Sequence, residues 1–300
     1  MPERLAVAVP VTTMWTRPDA PRPIDRPMLA DRPDAAAWTA ALDDQHRRDL
    51  TDRTLTQLLL GEPVELLDED GDWAFVVAPW QPSGDDHRGY PGWVRRAHLA
   101  EPPRSSSSEA VVTESTPVFD DAALTERSGE ATYATILPVH DQAGEAVGVR
   151  LPGGRIGWLA ASACAVRATP GRSAADVDGR DALREARRFV GLPYVWGGMS
   201  AFGLDCSGLV HITYRALGAI VPRDAHDQAA ATAHIPRSTA REGDLYFFAR
   251  PGRTIHHVGF AFGDPHRILH AANFEAVVEE PMTRDRRATV TDFAGRFTSH

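Results

Sequence analysis

From residue 176 onward, the sequence places two helical segments ahead of a series of short strands, and this order constrains the fold most. Apolar residues at helical spacing cover 182–190 and 206–217, and a glycine follows each segment. Runs rich in aromatic and β-branched residues then predict four strands, over 244–248, 257–262, 267–271 and 276–279. Helices first and antiparallel strands afterwards predict an α+β domain over residues 176–300.

In parts of residues 1–103, apolar residues recur at every second position, which is the period of a β-strand. These residues predict a small β-barrel that also carries helices. The segments 64–67 and 73–77 have a period of two around a glycine turn, which predicts a β-hairpin. An aspartate followed by an alanine-rich run predicts a helix over 34–42. A second short helix is predicted over 52–60, where a glycine follows.

Residues 109–168 repeat the strand pattern at a smaller size and predict a second β-barrel. A linker of prolines and serines at 102–108 joins it to the first. Both blocks close on a glycine, a tryptophan and an aliphatic residue, Gly92-Trp93-Val94 and Gly157-Trp158-Leu159. A polar stretch follows the second block. The sequence therefore predicts three domains, at residues 1–103, 109–168 and 176–300.

Composition excludes several kinds of function. All 32 basic residues are arginine, which excludes a P-loop lysine, a pyridoxal Schiff base and a lysine general base. The net charge of −9 argues against a nucleic-acid partner. No apolar run approaches roughly eighteen residues and no signal-peptide pattern is present, so we expect a cytoplasmic protein without a membrane partner. Two cysteines, Cys164 and Cys206, do not make a disulfide framework.

Cys206 is the candidate nucleophile. Asp205 precedes it as a good N-cap, which places the thiol in the first turn of the predicted helix. Unpaired backbone N–H groups and the positive end of the helix dipole favour a thiolate there. Ser207 and Gly208 are small and leave room for a substrate. Because the charge of Asp205 opposes a thiolate, a base is also needed.

Two histidines in the predicted strands are candidates for that base. If a tight turn at Gly263-Asp264 joins the strands symmetrically, His257 and His270 oppose each other directly on one face of the sheet. One ring can then act as the general base while the other orients it. His256 is expected on the opposite face, in solvent or behind the site. A zinc site formed by Cys206 and the two histidines is an alternative, but the spacing of zinc motifs is absent.

Four motifs together closely resemble those of the NlpC/P60 family of cysteine peptidases, in order and spacing, over residues 176–285. They are Pro193-Tyr194-Val195-Trp196-Gly197-Gly198, Asp205-Cys206-Ser207-Gly208-Leu209-Val210, His257-Val258-Gly259 and Leu269-His270-Ala271. The resemblance implies a papain-like fold with Cys206 as nucleophile, His257 as base and His270 as the residue that orients the base. It also implies hydrolysis of the γ-D-glutamyl bond to a diamino acid in peptidoglycan stem peptides, with no metal or other cofactor.

Three further segments carry a narrower resemblance, namely Thr13-Met14-Trp15-Thr16, Leu60-Gly61-Glu62 and Gly89-Tyr90-Pro91-Gly92-Trp93-Val94. With them the whole chain resembles the gamma-D-glutamyl-L-diamino acid endopeptidases with two bacterial SH3 (SH3b) domains ahead of the catalytic domain. The two predicted barrels are then SH3b domains, the first with a helical insertion. In this group the first SH3b domain covers the active site and helps to bind the free amine of an N-terminal L-alanine. The resemblance implies that Tyr90 and Glu62 bind this amine together with Asp205, as an ammonium group requires hydrogen-bond acceptors around it.

Three further residues receive substrate roles from the resemblance. Tyr194 is implied as an oxyanion donor, Trp196 as a side of the pocket and Ser207 as a second substrate contact. Ala225 and His226 stand where the resemblance implies a serine near the substrate.

The sequence therefore predicts a cytoplasmic cysteine endopeptidase that cleaves peptidoglycan-derived peptides with a free N-terminal L-alanine, as in muropeptide recycling. Its expected partners are stem peptides of the type L-Ala-γ-D-Glu-diamino acid, with neither nucleic acid nor membrane involved. Two alternatives stay open. One is an exported peptidase that degrades the intact cell wall by the same chemistry, and the other is a non-catalytic module that senses the wall.

Overall fold

Three large antiparallel sheets organise the computed structural model, which describes residues 2–169 and 171–298. The strands of the first sheet are β1 (Glu3–Val7), β2 (Val11–Trp15), β3 (Thr54–Leu59), β4 (Pro63–Asp70), β5 (Trp73–Ala78), β6 (Tyr90–Arg95) and β7 (Leu99–Ala100). They lie in the order β3-β2-β6-β5-β4-β1-β7 across the sheet. The predicted hairpin is formed by β4 and β5, with Gly71 at positive φ in its turn.

Three short helices lie between β2 and β3, namely α1 (Arg26–Leu29), α2 (Ala35–Ala41) and α3 (Asp44–Arg48). The Asp34 side chain accepts a hydrogen bond from the Ala37 N–H at 2.8 Å, so α2 begins as predicted. The helix predicted over 52–60 is wrong, because this segment contains β3, which pairs with β2. Most residues of β3 are buried on both faces, so the segment lacks the polar alternation that identifies a strand from sequence.

The second sheet has the same strand order as the first. Its strands are β8 (Ser108–Val112), β9 (Thr116–Phe119), β10 (Arg127–Ala131), β11 (Ile136–Ala143), β12 (Ala146–Arg150), β13 (Ile156–Ala160) and β14 (Cys164–Ala168). They lie in the order β10-β9-β13-β12-β11-β8-β14, which repeats the first sheet strand for strand. The two glycine–tryptophan motifs of the sequence fall in β6 and β13, the sixth strand of each set.

The remaining residues combine helices with a six-stranded sheet. The helices are α4 (Gly179–Ala186), α5 (Cys206–Ala216), α6 (Ala225–Ala230) and α7 (Arg284–Thr289). The strands are β15 (Met199–Ser200), β16 (Gly203–Leu204), β17 (Ala233–Pro236), β18 (Glu242–Ala249), β19 (Ile255–Phe262), β20 (Arg267–Ala271), β21 (Val277–Pro281) and β22 (Val290–Arg296). The main sheet has the order β17-β22-β18-β19-β20-β21, while β15 and β16 form a small hairpin.

The predicted helices and strands of this region agree with the structure. Helix α5 begins at Cys206, and the four predicted strands correspond to β18, β19, β20 and β21. Strand β22 was not predicted, although it pairs with both β17 and β18. One apolar core, which includes Leu209, Val258 and Leu269, joins α5 to the sheet. Among residues 2–169 and 171–298, every helix is too short or too polar to cross a membrane.

Strand β3 of the first sheet lies against the helical part of the third region. The Gln57 side-chain oxygen accepts hydrogen bonds from the Met199 N–H at 3.1 Å and from the Ser200 hydroxyl at 2.9 Å. The Thr54 hydroxyl donates to the Trp196 carbonyl at 2.9 Å. These contacts place the first sheet beside the segment that precedes Cys206.

Candidate active site

Cys206 is the first residue of α5 and is only 7% exposed. The Asp205 carboxylate caps this helix by accepting a hydrogen bond from the Gly208 N–H at 2.6 Å, as predicted. The thiol therefore lies among the unpaired N–H groups of the first turn, where the helix dipole favours negative charge.

The resting thiol is nevertheless protonated. Burial and the Asp205 charge raise the pKa of Cys206 to about 12, although a hydrogen bond from the Val258 N–H and the Arg223 charge act in the opposite direction. A thiol with this pKa is a weak nucleophile near neutral pH, so the site requires a base that removes its proton.

His257 and His270 lie on one face of the sheet, with His257 Nε2 2.7 Å from His270 Nδ1. The direct opposition expected from a symmetric turn is wrong. Phe260 pairs with Leu269, which shifts the register by two residues and makes the two histidines diagonal neighbours. Because side chains alternate with a period of two, this shift keeps both rings on the same face.

Both rings are buried and neutral at ordinary pH. Burial and the neighbouring His270 hold the pKa of His257 well below its usual range. Burial and the Arg286 charge lower the pKa of His270 to about 3. A contact with the Asn273 side chain acts in the opposite direction on the pKa of His257. Within the described residues, no hydrogen bond of normal geometry reaches His257 Nδ1, so this nitrogen can accept a proton. The Val258 N–H that bonds the thiol belongs to the next residue, so the peptide group that joins His257 to Val258 lies beside Cys206.

A cavity of about 320 Å³ opens in front of Cys206. One side of the cavity is formed by the third region, and the other side by the first sheet and the loops around that sheet. The residues that line it are Thr16, Asp52, Thr54, Leu55, Tyr90, Tyr194, Trp196, Asp205, Cys206, Ser207, Asp224, Ala225, His226, Ile255 and His256. Six predicted site residues are therefore at the cavity, and His256 also borders it although it was expected on the other face or in solvent.

Glu62 does not reach this cavity, so its predicted role as an amine ligand is wrong. Its side chain is fully buried, and one carboxylate oxygen accepts a hydrogen bond from Arg215 at 2.5 Å. The other oxygen accepts from the Gln81 amide at 2.9 Å. Because the buried Arg215 already binds this carboxylate, it is not available for the substrate amine that the resemblance assigned to it.

Asp205 borders the cavity, but its carboxylate is already occupied. Arg223 donates to both of its oxygens, at 3.0 and 2.6 Å. The Gly197 N–H donates to Oδ2 at 2.9 Å, and the Ser207 hydroxyl lies 3.2 Å from Oδ1. The Arg223 guanidinium compensates the charge of Asp205. The main role of the Asp205 carboxylate is therefore to cap α5 and to fix the loop that precedes this helix.

Comparisons with known proteins agree with this geometry. Residues 191–292 match the model of the NlpC/P60 family, and residues 111–166 match that of the YKFC SH3b2 domain. The chain is 33% identical over 285 residues to a gamma-D-glutamyl-L-lysine dipeptidyl-peptidase of Bacillus cereus, covering 91% of this chain and 84% of that protein. It is 35% identical over 265 residues to the enzyme of the same name from Bacillus subtilis, covering 87% of each. The chain belongs to the NlpC/P60 family of cysteine peptidases.

One solved structure is similar to this chain over almost its whole length. The crystal structure of an NlpC/P60 family protein from Bacillus cereus ATCC 10987 superimposes with a TM-score of 0.90 at 28% identity. The match covers 99% of this chain and 100% of that one. The arrangement of all three sheets is therefore shared, including the position of the first sheet over the cavity.

The NlpC/P60 cavity also contains a carboxylate that the sequence analysis missed. Asp224 precedes α6 and accepts one hydrogen bond, from the Tyr90 hydroxyl at 2.8 Å. Burial raises the pKa of Asp224, while Arg223 and the Tyr90 hydroxyl act in the opposite direction. Asp224 directly precedes Ala225, where the resemblance implies a serine near the substrate, and this position was a signal for it in the sequence.

One group of side chains near the cavity mouth has the composition of a metal site. Asp224, His226 and Asp227 each place one ligand atom within 4.8 Å of the others. Two of the three already have protein partners, because Asp224 binds the Tyr90 hydroxyl and Asp227 binds the Gly84 N–H at 2.9 Å. Both carboxylates therefore already take part in contacts with the first sheet and with the loop between β5 and β6.

Proposed function

We propose that this peptidase hydrolyses the bond between γ-D-glutamate and a diamino acid in peptidoglycan-derived peptides that begin with a free L-alanine. The observation that carries the proposal is the position of Tyr90 and Asp224, which close one side of the cavity in front of Cys206. The names of the two Bacillus relatives support the choice of this bond as the one that is cleaved. The released products are an L-Ala-D-Glu dipeptide and a peptide that begins with the diamino acid.

The reaction begins when His257 Nδ1 accepts the proton of the Cys206 thiol. The thiolate sulfur attacks the γ-carbonyl carbon of D-glutamate, and the carbonyl π electrons move to oxygen. His257 then protonates the leaving amine as the C–N bond breaks, which leaves a thioester on Cys206. Water, deprotonated by His257, hydrolyses the thioester and regenerates the thiol. His270 holds the His257 ring in orientation throughout.

Tyr194 and the first turn of α5 stabilise the tetrahedral oxyanion in this mechanism. Tyr194 is almost fully buried, and its ring lines the cavity together with Cys206. Burial and the nearby Cys206 charge raise the pKa of Tyr194, so its hydroxyl stays protonated and can donate. The backbone N–H of Cys206 supplies a second donor at the helix N-terminus.

The free amine of the substrate binds between Asp224 and Tyr90. Asp224 accepts only one side-chain hydrogen bond among the described residues and so can accept more from an ammonium group. Asp52 supplies a second carboxylate at the same cavity. Trp196 and Ser207 line the side next to Cys206 and contact the peptide. Asp205 adds negative charge behind Ser207 without a direct bond to the amine.

We infer an SH3b domain with a helical insertion over residues 1–103, a second SH3b domain over 109–168 and the papain-like catalytic domain over 176–300. The identical strand order of the first two sheets supports this division. The helices α1, α2 and α3 form the insertion, between the second and third strands of the first set.

Selection for a free amine favours released peptides over intact cell wall. In the wall, the L-alanine nitrogen is joined to the glycan by an amide bond, so it carries no ammonium charge. We therefore place the enzyme in the cytoplasmic recycling of muropeptides rather than in degradation of the wall outside the cell. The alternatives are the exported wall-lytic peptidase and the non-catalytic sensor.

Mass spectrometry of products separates these functions. We expect the wild type to release L-Ala-D-Glu from L-Ala-γ-D-Glu-diaminopimelate, and to cleave the N-acetylated peptide at least about 100-fold more slowly, which corresponds to about 2.7 kcal/mol. Equal cleavage of both peptides, or release of fragments from intact peptidoglycan, would support the wall-lytic enzyme instead. Cys206→Ala should abolish turnover, and turnover by this variant would eliminate the proposed nucleophile.

A further inference from the structure

The hydrogen-bonded pair of histidines continues to a third residue, Glu280 on β21. His270 Nε2 lies 3.1 Å from the Glu280 carboxylate, on the side of the ring away from His257. The register of β20 and β21 pairs His270 with Val278, so Glu280 is a diagonal neighbour on the same face. His257, His270 and Glu280 thus follow one another on three adjacent strands, β19, β20 and β21.

The carboxylate determines where the protons of both rings lie. An ionised carboxylate only accepts, so His270 Nε2 carries the proton and donates it to Glu280. His270 Nδ1 of the neutral ring is then an acceptor, and His257 Nε2 must donate to it across 2.7 Å. The remaining nitrogen of neutral His257, Nδ1, is left without a proton. This is the tautomer that a base for Cys206 requires.

We propose that Glu280 is a positioning residue that selects the catalytic tautomer of His257 through His270. The proposal rests on the triad roles assigned above and deepens them. Without an acceptor at this place, His270 can carry its proton on Nδ1 instead. His257 Nε2 would then become an acceptor and its proton would move to Nδ1, the nitrogen that has to accept the Cys206 proton.

Charge plays a smaller part than proton position. The Arg286 guanidinium lies 3.4 Å from the same Glu280 oxygen and offsets much of its charge. The charged and titratable groups around the two rings are Glu280 on β21, Arg286 on α7, His256 on β19 and Cys206 on α5. While the Cys206 thiol is protonated, Glu280 is the group among these that stabilises a histidinium ion in the pair, so its removal makes the pair harder to protonate.

The next residue on the strand provides a matched control. Glu279 points to the opposite face of β21, where it forms ion pairs with Arg187 and Arg267 and is partly exposed. Glu279→Gln removes a carboxylate from the same strand without touching either histidine. Glu280→Ala removes the acceptor, while Glu280→Gln keeps an acceptor oxygen and removes only the charge.

Steady-state kinetics across pH form the test. We expect Glu280→Ala to lower kcat by roughly 10- to 100-fold with KM within about 2-fold, as is typical for loss of a group that orients a catalytic imidazole. Glu280→Gln should lose only about 5-fold, the difference between a charged and a neutral hydrogen bond. In both variants the acid limb of kcat/KM should move to lower pH. Glu279→Gln should match the wild type in rate and in pH profile.

Alkylation of Cys206 by iodoacetamide gives a readout that needs no peptide substrate. The rate of alkylation should fall in the order wild type, Glu280→Gln, Glu280→Ala, with thermal unfolding confirming that each variant is folded. If no peptide is cleaved by the wild type but this order holds, the proposed substrate is wrong and the role of Glu280 stands. Wild-type rates and pH limbs in both Glu280 variants, or an equal loss in Glu279→Gln, would overturn the role of Glu280. If Glu280→Ala does not fold, Glu280→Gln decides by its pH limb alone.

Discussion

Two buried arginines of the catalytic domain reach the first sheet, and they do so in different ways. Arg215, near the end of α5, forms an ion pair with Glu62 in which both side chains are fully buried. Arg223, in the loop before α6, pairs with Asp205 and also donates to the Thr56 hydroxyl of β3 at 2.8 Å. The first ion pair lies outside the substrate cavity and the second borders it.

The difference shows which carboxylates remain free to bind a substrate. Glu62 and Asp205 each have an arginine partner and further donors, so their charges serve the contact between domains and the helix cap. Asp224 borders the cavity and accepts a bond from Tyr90. The contact between the first sheet and the catalytic domain therefore has a structural part at Arg215, and Asp224 lies in the part for which we propose ligand binding.

The largest effect is expected at the structural part. Arg215→Met leaves the Glu62 carboxylate buried without its cation and also removes a hydrogen bond to the Ala134 carbonyl of the second domain. We expect the free energy of unfolding to fall by about 3–5 kcal/mol. The kcat/KM of the folded protein should stay within about 2-fold, since nine residues of helix, about 13 Å, separate Arg215 from Cys206. Urea unfolding and peptide assays measure the two effects.

The double variant Arg215→Met/Glu62→Leu is the control for this prediction. Replacing both members of a buried ion pair by apolar side chains is often neutral, so most of the lost stability should return. If the single variant is as stable as the wild type, the Arg215–Glu62 pair makes no structural contribution. If it loses catalysis while it remains folded, Glu62 belongs with the substrate after all.

Local signals allowed the catalytic elements to be predicted from the sequence. The Asp205 cap and the helical spacing after Cys206 are encoded within a few residues. The histidines were placed on one face because the two-residue error in register conserved the alternation of side chains. Glu280 was not predicted as a site residue, because the predicted strand ended at residue 279 and had no predicted register against β20.

The partners of the acidic residues could not be predicted in this way. Arg215 and Glu62 are 153 residues apart in the chain, and Tyr90 and Asp224 are 134 apart. Each pairing depends on how the first sheet packs against the catalytic domain, which no local pattern contains. Strand β3 was predicted as a helix for a related reason, since both of its faces are buried between domains.

The second prediction concerns the ligand-binding part. Asp224→Asn removes the negative charge proposed to bind the substrate ammonium but retains an acceptor for the Tyr90 hydroxyl. We expect kcat/KM for the free-amine peptide to fall roughly 10- to 100-fold, since hydrogen bonds to charged groups contribute about 1.5–3 kcal/mol. The slow cleavage of the N-acetylated peptide should not change, so the preference for a free amine should largely disappear.

Asp227→Asn is the matched control for this prediction. Asp227 lies one turn further along the chain, in α6, and binds the Gly84 N–H of the loop between β5 and β6, outside the cavity. Its variant should keep the preference for the free amine. Equal losses on both peptides in Asp224→Asn would mean that Asp224 supports the fold of the loop rather than binding the ammonium group.

The smallest expected effect near neutral pH comes from His211, a fully buried residue of α5 close to both arginines. Burial and the charges of Arg215 and Arg223 lower the pKa of His211 to about 3. In the unfolded chain the pKa is about 6.5, so the unfolded state binds the extra proton between these two values. Stability is therefore complete above about pH 6.5 and decreases as the pH falls toward 3.

His211→Gln removes this titration, so the loss of unfolding free energy on acidification should become smaller by about 1.4 kcal/mol per pH unit between about pH 6 and 4. Part of the slope should remain, because burial also lowers the pKa of His98 and of His270. His140→Gln, on an exposed part of β11, should leave the slope unchanged. Urea unfolding at several pH values measures how the free energy of unfolding depends on pH. The same slope in His211→Gln and the wild type would mean that the environment created by the two arginines does not keep His211 neutral. The two arginines would then be distinguished only by their carboxylate partners, Glu62 outside the cavity and Asp205 at its border.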